Sequence, residues 1–297
     1  MKRFSAIVVL ALASLFVATS SQAKSGPFPH REEFKDVPVV ESKDLMNKLA
    51  SVNVVDVRSK YEYQTLHIKG AINIPLNKVD FASQVAKLIK SNSKPVVFYC
   101  NGGTCKKSYK AVKEALKGGV RGTKAYDAGI YAWAQIYPEQ SVLLGKNPMN
   151  ANDFIDNKTY KSRIIEAARF EKMMGPNAIV LDIRDRIQRD LQLFPFNEHR
   201  AELDDTASIR NYVQMAKRSN KTLLVYDKVG KQVRWFQYYL EKEGVRNYYF
   251  MKGGSEGYYE AKLGKEKAQG TFLDCADQGR FSCCCKIEDY ASQRPDW

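Results

Sequence analysis

The sequence predicts an α/β fold of two tandem domains, each a parallel sheet flanked by helices. Short apolar runs rich in β-branched and aromatic residues alternate with amphipathic segments, an order typical of parallel sheets covered by helices on both faces. The chain has 297 residues, enough for two domains with a sizeable core in each. The pattern of the first half also returns in the second half, which indicates a duplicated domain.

The repeat is visible in three segments at a nearly constant spacing. Residues 179–184 repeat the pattern of residues 55–58 at an offset of 126, residues 223–227 repeat residues 96–100 at 127, and Gly254 repeats Gly129 at 125. We therefore predict a first domain at 38–146 and a second at 164–264, joined by a polar linker at 147–163.

The two ends of the chain are predicted to lie outside these domains. Residues 1–23 have the charged start, apolar run and small-residue cleavage site of a secretory signal peptide. Residues 24–37 contain two prolines and mixed charge, which predicts an extended arm. Residues 265–297 form a cysteine-containing tail. We expect a protein exported to a bacterial periplasm, with no membrane anchor after signal removal.

The composition favours anionic partners. The formal net charge is +14, or +12 once Lys2 and Arg3 leave with the signal peptide. The lysines are scattered and no nucleic-acid motif is present, so we do not expect nucleic-acid binding. The sequence suggests no metal and no cofactor.

Within the first domain, the apolar pattern predicts each element in turn. We expect a helix at 41–49 with Ser42 as its N-cap, a strand at 52–57, a helix at 80–89, a strand at 95–99 that ends on Cys100, and a helix at 108–116. Tyr109, Val112 and Leu116 share the apolar face of the last helix. In the second domain, strands at 179–184 and 223–227 and a helix at 235–243 are predicted.

The chain is organised around the loop that joins the strand at 95–99 to the following helix. Its residues are Cys100, Asn101, Gly102, Gly103, Thr104 and Cys105, followed by Lys106 and Lys107. A tight glycine loop that opens a helix points successive N–H groups at one spot, and the helix dipole adds partial positive charge there. We expect Cys100 to have a lowered pKa, and we expect the N–H groups to hold an anion.

This loop and three further segments resemble the rhodaneses, a family of persulfide-forming sulfurtransferases. The segments are residues 54–58 (VVDVR), residues 66–75 (LHIKGAINIP) and residues 128–133 (AGIYAW), in the order and spacing of that family. The resemblance implies that Cys100 is the catalytic nucleophile and that Arg58 lines the mouth of the site and helps to bind an anionic donor. Asp56 is expected to tie adjacent loops, and His67 to pack without binding a ligand.

Two features depart from the family pattern, and the tail lies outside it. One departure is that the nucleophile stands in the first domain, whereas familiar tandem members have it in the second. Cys105 stands where many members have an arginine, and we consider it both as a packing residue and as a redox partner of Cys100. Asp227 aligns with Cys100, so the second domain is expected to be inactive, since an aspartate carries no persulfide. The tail holds Cys275, Cys283, Cys284 and Cys285, for which structural disulfides, a metal site and a second sulfur site all stay open.

The sequence therefore predicts a sulfurtransferase. Cys100 takes a sulfane sulfur from an anionic donor, thiosulfate or polysulfide, and passes it to a small thiophile or a protein thiol. One alternative is a thiol redox protein that uses Cys100 and Cys105. A second is a sulfur carrier or binding module without catalysis. A cysteine phosphatase of related fold is disfavoured because Lys106 stands where its arginine is needed.

Overall fold

A computed structural model describes residues 28–189 and 192–268 of the chain. The predicted signal peptide and the four tail cysteines lie outside these residues. Among the helices in the described ranges, none combines the length and apolar character needed to cross a bilayer.

The first domain alternates strands and helices, as its apolar pattern predicts. In chain order its elements are α1 (Ser42–Lys48), β1 (Asn53–Asp56), α2 (Lys60–Thr65), β2 (Leu66–Ile68), β3 (Ile72–Asn73), α3 (Phe81–Asn92), β4 (Val96–Tyr99), α4 (Lys107–Lys117), β5 (Lys124–Tyr126), α5 (Gly129–Ile136) and β6 (Ser141–Leu143). Strands β2 and β6 form a separate antiparallel pair.

The main sheet of this domain has the strand order β3-β1-β4-β5, with every pair parallel. All residues of β1 and β4 are buried, because helices cover both faces. Val54 and Tyr99 belong to the core on one face, whereas Val55 and Phe98 belong to the core on the other. Cys100 follows β4 directly, at the carboxyl edge where ligands bind in open parallel sheets.

The second domain repeats this plan. Its elements are β7 (Ile164–Ile165), α7 (Ala167–Met173), β8 (Ala178–Asp182), β9 (Glu198–Arg200), α8 (Thr206–Arg218), β10 (Thr222–Tyr226), α9 (Val233–Lys242), β11 (Tyr248–Met251) and α10 (Gly254–Ala268). The parallel sheet order is β7-β11-β10-β8-β9. Strands β8, β10, β11 and β9 take the places of β1, β4, β5 and β3. The predicted α/β fold with parallel sheets flanked by helices is confirmed.

Two segments predicted as spacers are instead packed against the domains. Residues 29–36 form turns, not an extended arm, and Phe34 of this segment stacks on Tyr109 at 5.0 Å between ring centroids. The linker at 147–163 contains α6 (Asn157–Lys161) and buries Met149 and Ile155 in the core of the first domain. Apolar residues at separate positions in both polar segments provide this packing, and composition alone does not reveal it.

Some details of the helices also differ from the prediction. The N-cap of α1 is Glu41, and the Ser42 hydroxyl hydrogen-bonds to the Tyr126 hydroxyl at 2.9 Å. Leu116 is 49% exposed, although Tyr109 and Val112 on the same helix are buried. Helix α4 therefore stays in the core as far as Ala115, which is fully buried, and Leu116 lies at the edge of the packed face.

The two domains meet through aromatic side chains. The Trp235 indole, in the first turn of α9, stacks on Tyr131 of α5 with 5.0 Å between ring centroids. Trp235 and Tyr238 are both buried in the core of the first domain. The Tyr238 hydroxyl accepts a hydrogen bond from the backbone N–H of Ile155 in the linker at 3.3 Å. The first turns of α9 thus complete a core that α2 and α5 leave open.

A close approach of two glycines joins the Cys100 loop to the start of α5. A Cβ placed on Gly129 would lie 2.3 Å from the Gly102 nitrogen, and one on Gly102 would lie 1.9 Å from the Ala128 carbonyl oxygen. Both residues have positive φ, +66° and +101°. Only glycine satisfies the backbone conformation and the contact together.

We predict that Gly129→Ala destabilises the protein more than Gly119→Ala. Gly119 also has positive φ, +81°, but a Cβ there meets nothing within 4 Å. Gly119→Ala should therefore lose only about 1–2 kcal/mol of unfolding free energy from the left-handed backbone. Gly129→Ala should lose roughly 1–3 kcal/mol more from overlap. Urea denaturation of the two variants measures this difference, and equal midpoints would contradict the glycine contact.

Candidate active site

The turn that precedes α5 holds the Cys100 loop in place through backbone hydrogen bonds. The Ile130 N–H donates to the Cys100 carbonyl at 3.0 Å, and the Gly103 N–H donates to the Asp127 carbonyl at 3.1 Å. The loop closes on itself through a 3.1 Å bond from the Cys105 N–H to the Gly102 carbonyl. The loop conformation therefore depends on backbone contacts and does not require the thiols.

The Cys100 thiol lies at the bottom of this loop and is fully buried. The backbone N–H groups of Gly102 and Ser108 point to its sulfur. Its Sγ lies 3.5 Å from the Cys105 carbonyl oxygen and 3.7 Å from the Ser108 hydroxyl. Burial raises the pKa of the Cys100 thiol, and hydrogen bonding to Cys105 raises it further.

Cys105 holds the more favourable position for a negative charge. A hydrogen bond from the Cys100 thiol lowers the pKa of Cys105 to about 6, against the opposing effect of burial. The N–H groups of Lys107 and Asn101 and the charge of Lys107 contribute to the same shift. The prediction of a lowered pKa for Cys100 is therefore wrong for this conformation. The electrostatics of this conformation favour the thiolate on Cys105 and the protonated thiol on Cys100.

Arg58 differs from its predicted role. Its guanidinium is fully buried and forms a two-point ion pair with Asp56, with 2.5 Å between Nη2 and Oδ2. It also donates to the Leu66 carbonyl at 2.6 Å. Burial opposes its charge, but Asp56 holds the pKa of Arg58 above the ordinary value. Arg58 is a structural cation saturated by the protein and does not line an open mouth.

Through Arg58, the side chain of Asn101 is fixed to the rest of the domain. Arg58 Nη1 lies 3.3 Å from Asn101 Oδ1, and Asn101 Nδ2 donates to Glu62 Oε1 at 3.2 Å. Burial opposes ionisation of Glu62, but the charges of Arg58 and Lys107 hold its pKa below the ordinary value. Glu62 was not predicted as a site residue. Its sequence signal is the spacing from Ser59, with which it forms a capping box at the start of α2.

The N-terminal segment supports the outer side of the loop. His30 Nε2 lies 2.9 Å from the carbonyl oxygen of the exposed Thr104, and Lys106 forms a 2.7 Å ion pair with Glu33. Lys106 is therefore partly neutralised, whereas the exposed Lys107 acts electrostatically on Cys105 and Glu62. The sequence contains no signal for these contacts, because the segment reaches the loop only through folding.

A buried carboxylate connects the same segment to α4. Arg31 Nε donates to Asp127 Oδ2 at 2.7 Å, and the Tyr109 hydroxyl donates to the same oxygen at 2.6 Å. Because the Asp127 carbonyl also accepts from Gly103, this residue joins the N-terminal segment, α4 and the Cys100 loop. The sequence analysis did not identify Asp127.

The corresponding loop of the second domain is filled by its own side chain. Asp227 follows β10, is buried, and accepts hydrogen bonds from the backbone N–H groups of Gly230, Gln232 and Val233. Burial raises the pKa of Asp227, although these N–H groups oppose the shift. Arg184 and Asp182 repeat the ion pair of Arg58 and Asp56. We call such a loop of inward-pointing N–H groups a cradle. The cradle of the second domain surrounds a carboxylate and contains no sulfur.

No group of three or more His, Cys, Asp or Glu side chains that could hold a metal ion occurs in ranges 28–189 and 192–268. His67 behaves as expected of a packing residue, since its ring stacks on Tyr63 at 4.1 Å and its Nδ1 lies 2.7 Å from the Tyr63 carbonyl.

We predict that iodoacetamide alkylates Cys105 before Cys100, since Cys105 is partly exposed and carries the thiolate. The rate should rise with pH through a midpoint of about 6, because only the thiolate reacts and its fraction grows above that pKa. Cys100→Ala removes the hydrogen bond and should move the midpoint to higher pH. Peptide mapping of samples quenched between acidic and mildly alkaline pH measures both effects. Preferential labelling of Cys100 would refute this assignment of the thiolate.

Known proteins match the part of the chain that contains the Cys100 loop. Residues 39–136 match the rhodanese-like domain family. An HTH-type transcriptional regulator of Mycobacterium tuberculosis is 40% identical over 82 residues, which cover 28% of this chain and 34% of the regulator. Thiosulfate:glutathione sulfurtransferase of Saccharomyces cerevisiae is 28% identical over 132 residues, covering 41% of this chain and 91% of that protein. The chain thus spans about a third of the length of the first of these relatives and most of the second.

Two solved structures extend the comparison. Thiosulfate sulfurtransferase of Pseudomonas aeruginosa is 18% identical, with a TM-score of 0.32. The match covers 76% of this chain and 45% of that one. The BH2092 protein of Bacillus halodurans is 26% identical, with a TM-score of 0.33. The match covers 45% of this chain and 96% of that one. The match of residues 39–136 to the rhodanese-like domain family agrees with the resemblance inferred from the sequence, and the sulfurtransferase relative supports a rhodanese-like sulfurtransferase.

Proposed function

We propose that this protein is a periplasmic tandem rhodanese-like sulfurtransferase that moves a sulfane sulfur through a persulfide on Cys100. The observation that carries the proposal is the position of Cys100. It follows a buried parallel strand, and its loop directs backbone N–H groups at sulfur from several residues. Such a cradle stabilises the negative charge of a persulfide.

The first step begins with transfer of the Cys100 proton to the Cys105 thiolate. The Cys100 sulfur then attacks the outer sulfur of thiosulfate, the sulfur–sulfur bond of the donor breaks, and sulfite leaves with the bonding electron pair. A polysulfide would react in the same way and release a shorter polysulfide. Lys107 is the exposed cation at the start of α4 and favours approach of either anion.

The step requires the loop to admit the donor, because Cys100 is fully buried. The backbone of the outer part of the loop is held by the bonds from Gly103 to Asp127 and from Cys105 to Gly102, so the Cys105 side chain is the part that can move. Cys105 lies in this outer part. Its displacement would open a path to Cys100 while Gly102 stays fixed against Gly129.

In the second step a thiophile removes the outer sulfur from the persulfide. Cyanide, sulfite and thiols are all nucleophiles suited to this attack. We assign the activity to the first domain alone, because the second domain contains no cysteine between residues 164 and 264 and Asp227 fills its cradle. The periplasmic location follows from the proposed signal peptide at residues 1–23.

A thiol redox protein is the second candidate, and one observation favours it. Cys100 Sγ lies 3.5 Å from the Cys105 carbonyl oxygen, so the two cysteines are direct neighbours in the loop, as a dithiol redox pair would be. The two functions differ in their requirement for Cys105. Sulfur transfer from thiosulfate to cyanide uses Cys105 only as a proton acceptor and proceeds slowly without it, whereas a dithiol redox cycle requires the sulfur of both residues.

We expect Cys100→Ser to lower thiosulfate:cyanide turnover on the order of 10³-fold or more, as expected when a nucleophile is lost. Far-ultraviolet circular dichroism and the urea midpoint should stay close to those of the wild type, since backbone contacts hold the loop. Thiocyanate formation measures the activity, and Cys105→Ser is the matched comparison. It should still form thiocyanate, but more slowly than the wild type, because the proton acceptor is lost while the nucleophile remains. Unchanged turnover in Cys100→Ser would contradict the assignment of Cys100 as the nucleophile.

Asp227→Cys, introduced into the Cys100→Ser chain, should not restore activity. The Asp227 carboxylate presents two oxygens to its cradle, and a single thiol sulfur cannot satisfy the N–H groups of Gly230, Gln232 and Val233 in the same way. The variant should also lose unfolding free energy, by about 1–3 kcal/mol for each donor left without a partner. Mapping of residue 227 after thiosulfate treatment tests this, and a persulfide there would show that the second cradle is competent.

A further inference from the structure

The outer half of the cradle is occupied by the Cys105 sulfur. The Cys105 carbonyl oxygen lies 3.5 Å from Cys100 Sγ, so Cys105 packs directly against the proposed nucleophile. The N–H groups of Asn101 and Lys107 and the Cys100 thiol stabilise the negative charge of the Cys105 thiolate. In the proposed sulfur transfer, these N–H groups and the space beside Cys100 are needed by the outer sulfur of the persulfide. Cys105 and the transferred sulfur therefore compete for one position.

We infer that Cys105 is the resolving thiol of the site, so that the sulfur taken up by Cys100 leaves as hydrosulfide and the loop closes as a Cys100–Cys105 disulfide. This inference rests on the proposed function, since it begins from the Cys100 persulfide. It assigns the acceptor step to a residue of the chain itself. An external dithiol then resets the site.

The chemistry balances without a further reactant. The proton that Cys105 accepted from Cys100 first returns to the outer sulfur of the persulfide. The Cys105 thiolate then attacks the inner sulfur, which is Cys100 Sγ. A bond forms between the two cysteine sulfurs, and the bond between Cys100 Sγ and the outer sulfur breaks. The outer sulfur leaves with the bonding pair and the persulfide proton as hydrosulfide. The outer sulfur is reduced by two electrons, and the two cysteines are oxidised to the disulfide.

The reset is a thiol–disulfide exchange. An external dithiol supplies two electrons, becomes a disulfide itself, and returns Cys100 and Cys105 to thiols. Cys105 is the partly exposed member of the pair and Cys100 is buried, so the dithiol meets the Cys105 sulfur first. Summed over a cycle, thiosulfate and a dithiol give sulfite, hydrosulfide, an oxidised dithiol and one proton.

Three properties of the loop favour resolution by Cys105. The thiolate form of Cys105 is stabilised near neutral pH, which provides the nucleophile. Its backbone is held by the bond from its N–H to the Gly102 carbonyl, so the side chain returns to the same place after displacement. Cys100 is shielded from solvent, which slows competing attack by thiols from outside.

The test is a single turnover with the full chain. The protein is reduced, freed of reductant, mixed with thiosulfate without any thiophile, and trapped with iodoacetamide. We expect about one sulfite and one hydrosulfide per chain, together with a cross-linked peptide that joins Cys100 to Cys105. Cys105→Ser should release sulfite but no hydrosulfide, and should accumulate a persulfide on Cys100.

Failure of the inference and failure of the proposed function give different results. A wild-type chain that accumulates the persulfide and releases no hydrosulfide overturns the resolving role of Cys105 but leaves sulfur transfer intact. Absence of both sulfite and persulfide in the wild type and in Cys105→Ser overturns the proposed function, and the inference fails with it.

A second chain separates Cys105 from the other thiols. In it, Cys275, Cys283, Cys284 and Cys285 are replaced together by serine. Hydrosulfide release at the wild-type yield supports resolution by Cys105. Loss of release in this chain would assign the resolving thiol to the tail and overturn the inference.

Discussion

The buried ion pair between Arg58 and Asp56 is the interaction on which the site and the domain contact both depend. Asp56 ends β1, and its pair holds the guanidinium where it reaches Asn101 of the loop. The other side of the guanidinium lies 4.7 Å from the Trp235 ring of the second domain. A cation without access to water is tolerable only with such partners, and loss of one member of a buried pair costs about 3–5 kcal/mol. One side chain thus joins the sheet, the loop and the second domain.

The same pair in Arg184 and Asp182 shows that the two domains share one local arrangement but differ in what fills their loops. Both domains end their first central strand with this pair and direct a loop of N–H groups at the end of the next strand. In the first half the loop surrounds two sulfurs. In the second half the Asp227 carboxylate takes the place of an external anion. Its oxygens accept the hydrogen bonds from the N–H groups of that loop. The second domain then contributes α9, whose Trp235 completes the core beside α5.

The sequence was sufficient for those features that depend on local pattern. Alternation of apolar runs identified β1, β4, β8 and β10, and the two glycines with Cys100 located the loop. It was insufficient where the outcome depended on neighbours distant in the chain. Arg58 followed a strand as expected, but its burial is set by Trp235, 177 positions later. Likewise, a lowered pKa was predicted for the cysteine after the strand, whereas the folded loop places Asn101 and Lys107 N–H groups at Cys105. The contacts of His30 and Asp127 have no local pattern at all.

The packing of residues 28–37 changes where the first domain begins. The family match starts at residue 39, yet Phe34 and Val37 belong to the domain core and Arg31 neutralises the buried Asp127. A fragment cut at the family boundary would expose an apolar face of α4 and leave a buried carboxylate without its cation. A fragment that keeps this loop packed as it is must include the ten residues from 28 to 37, so the folded unit begins before the family boundary.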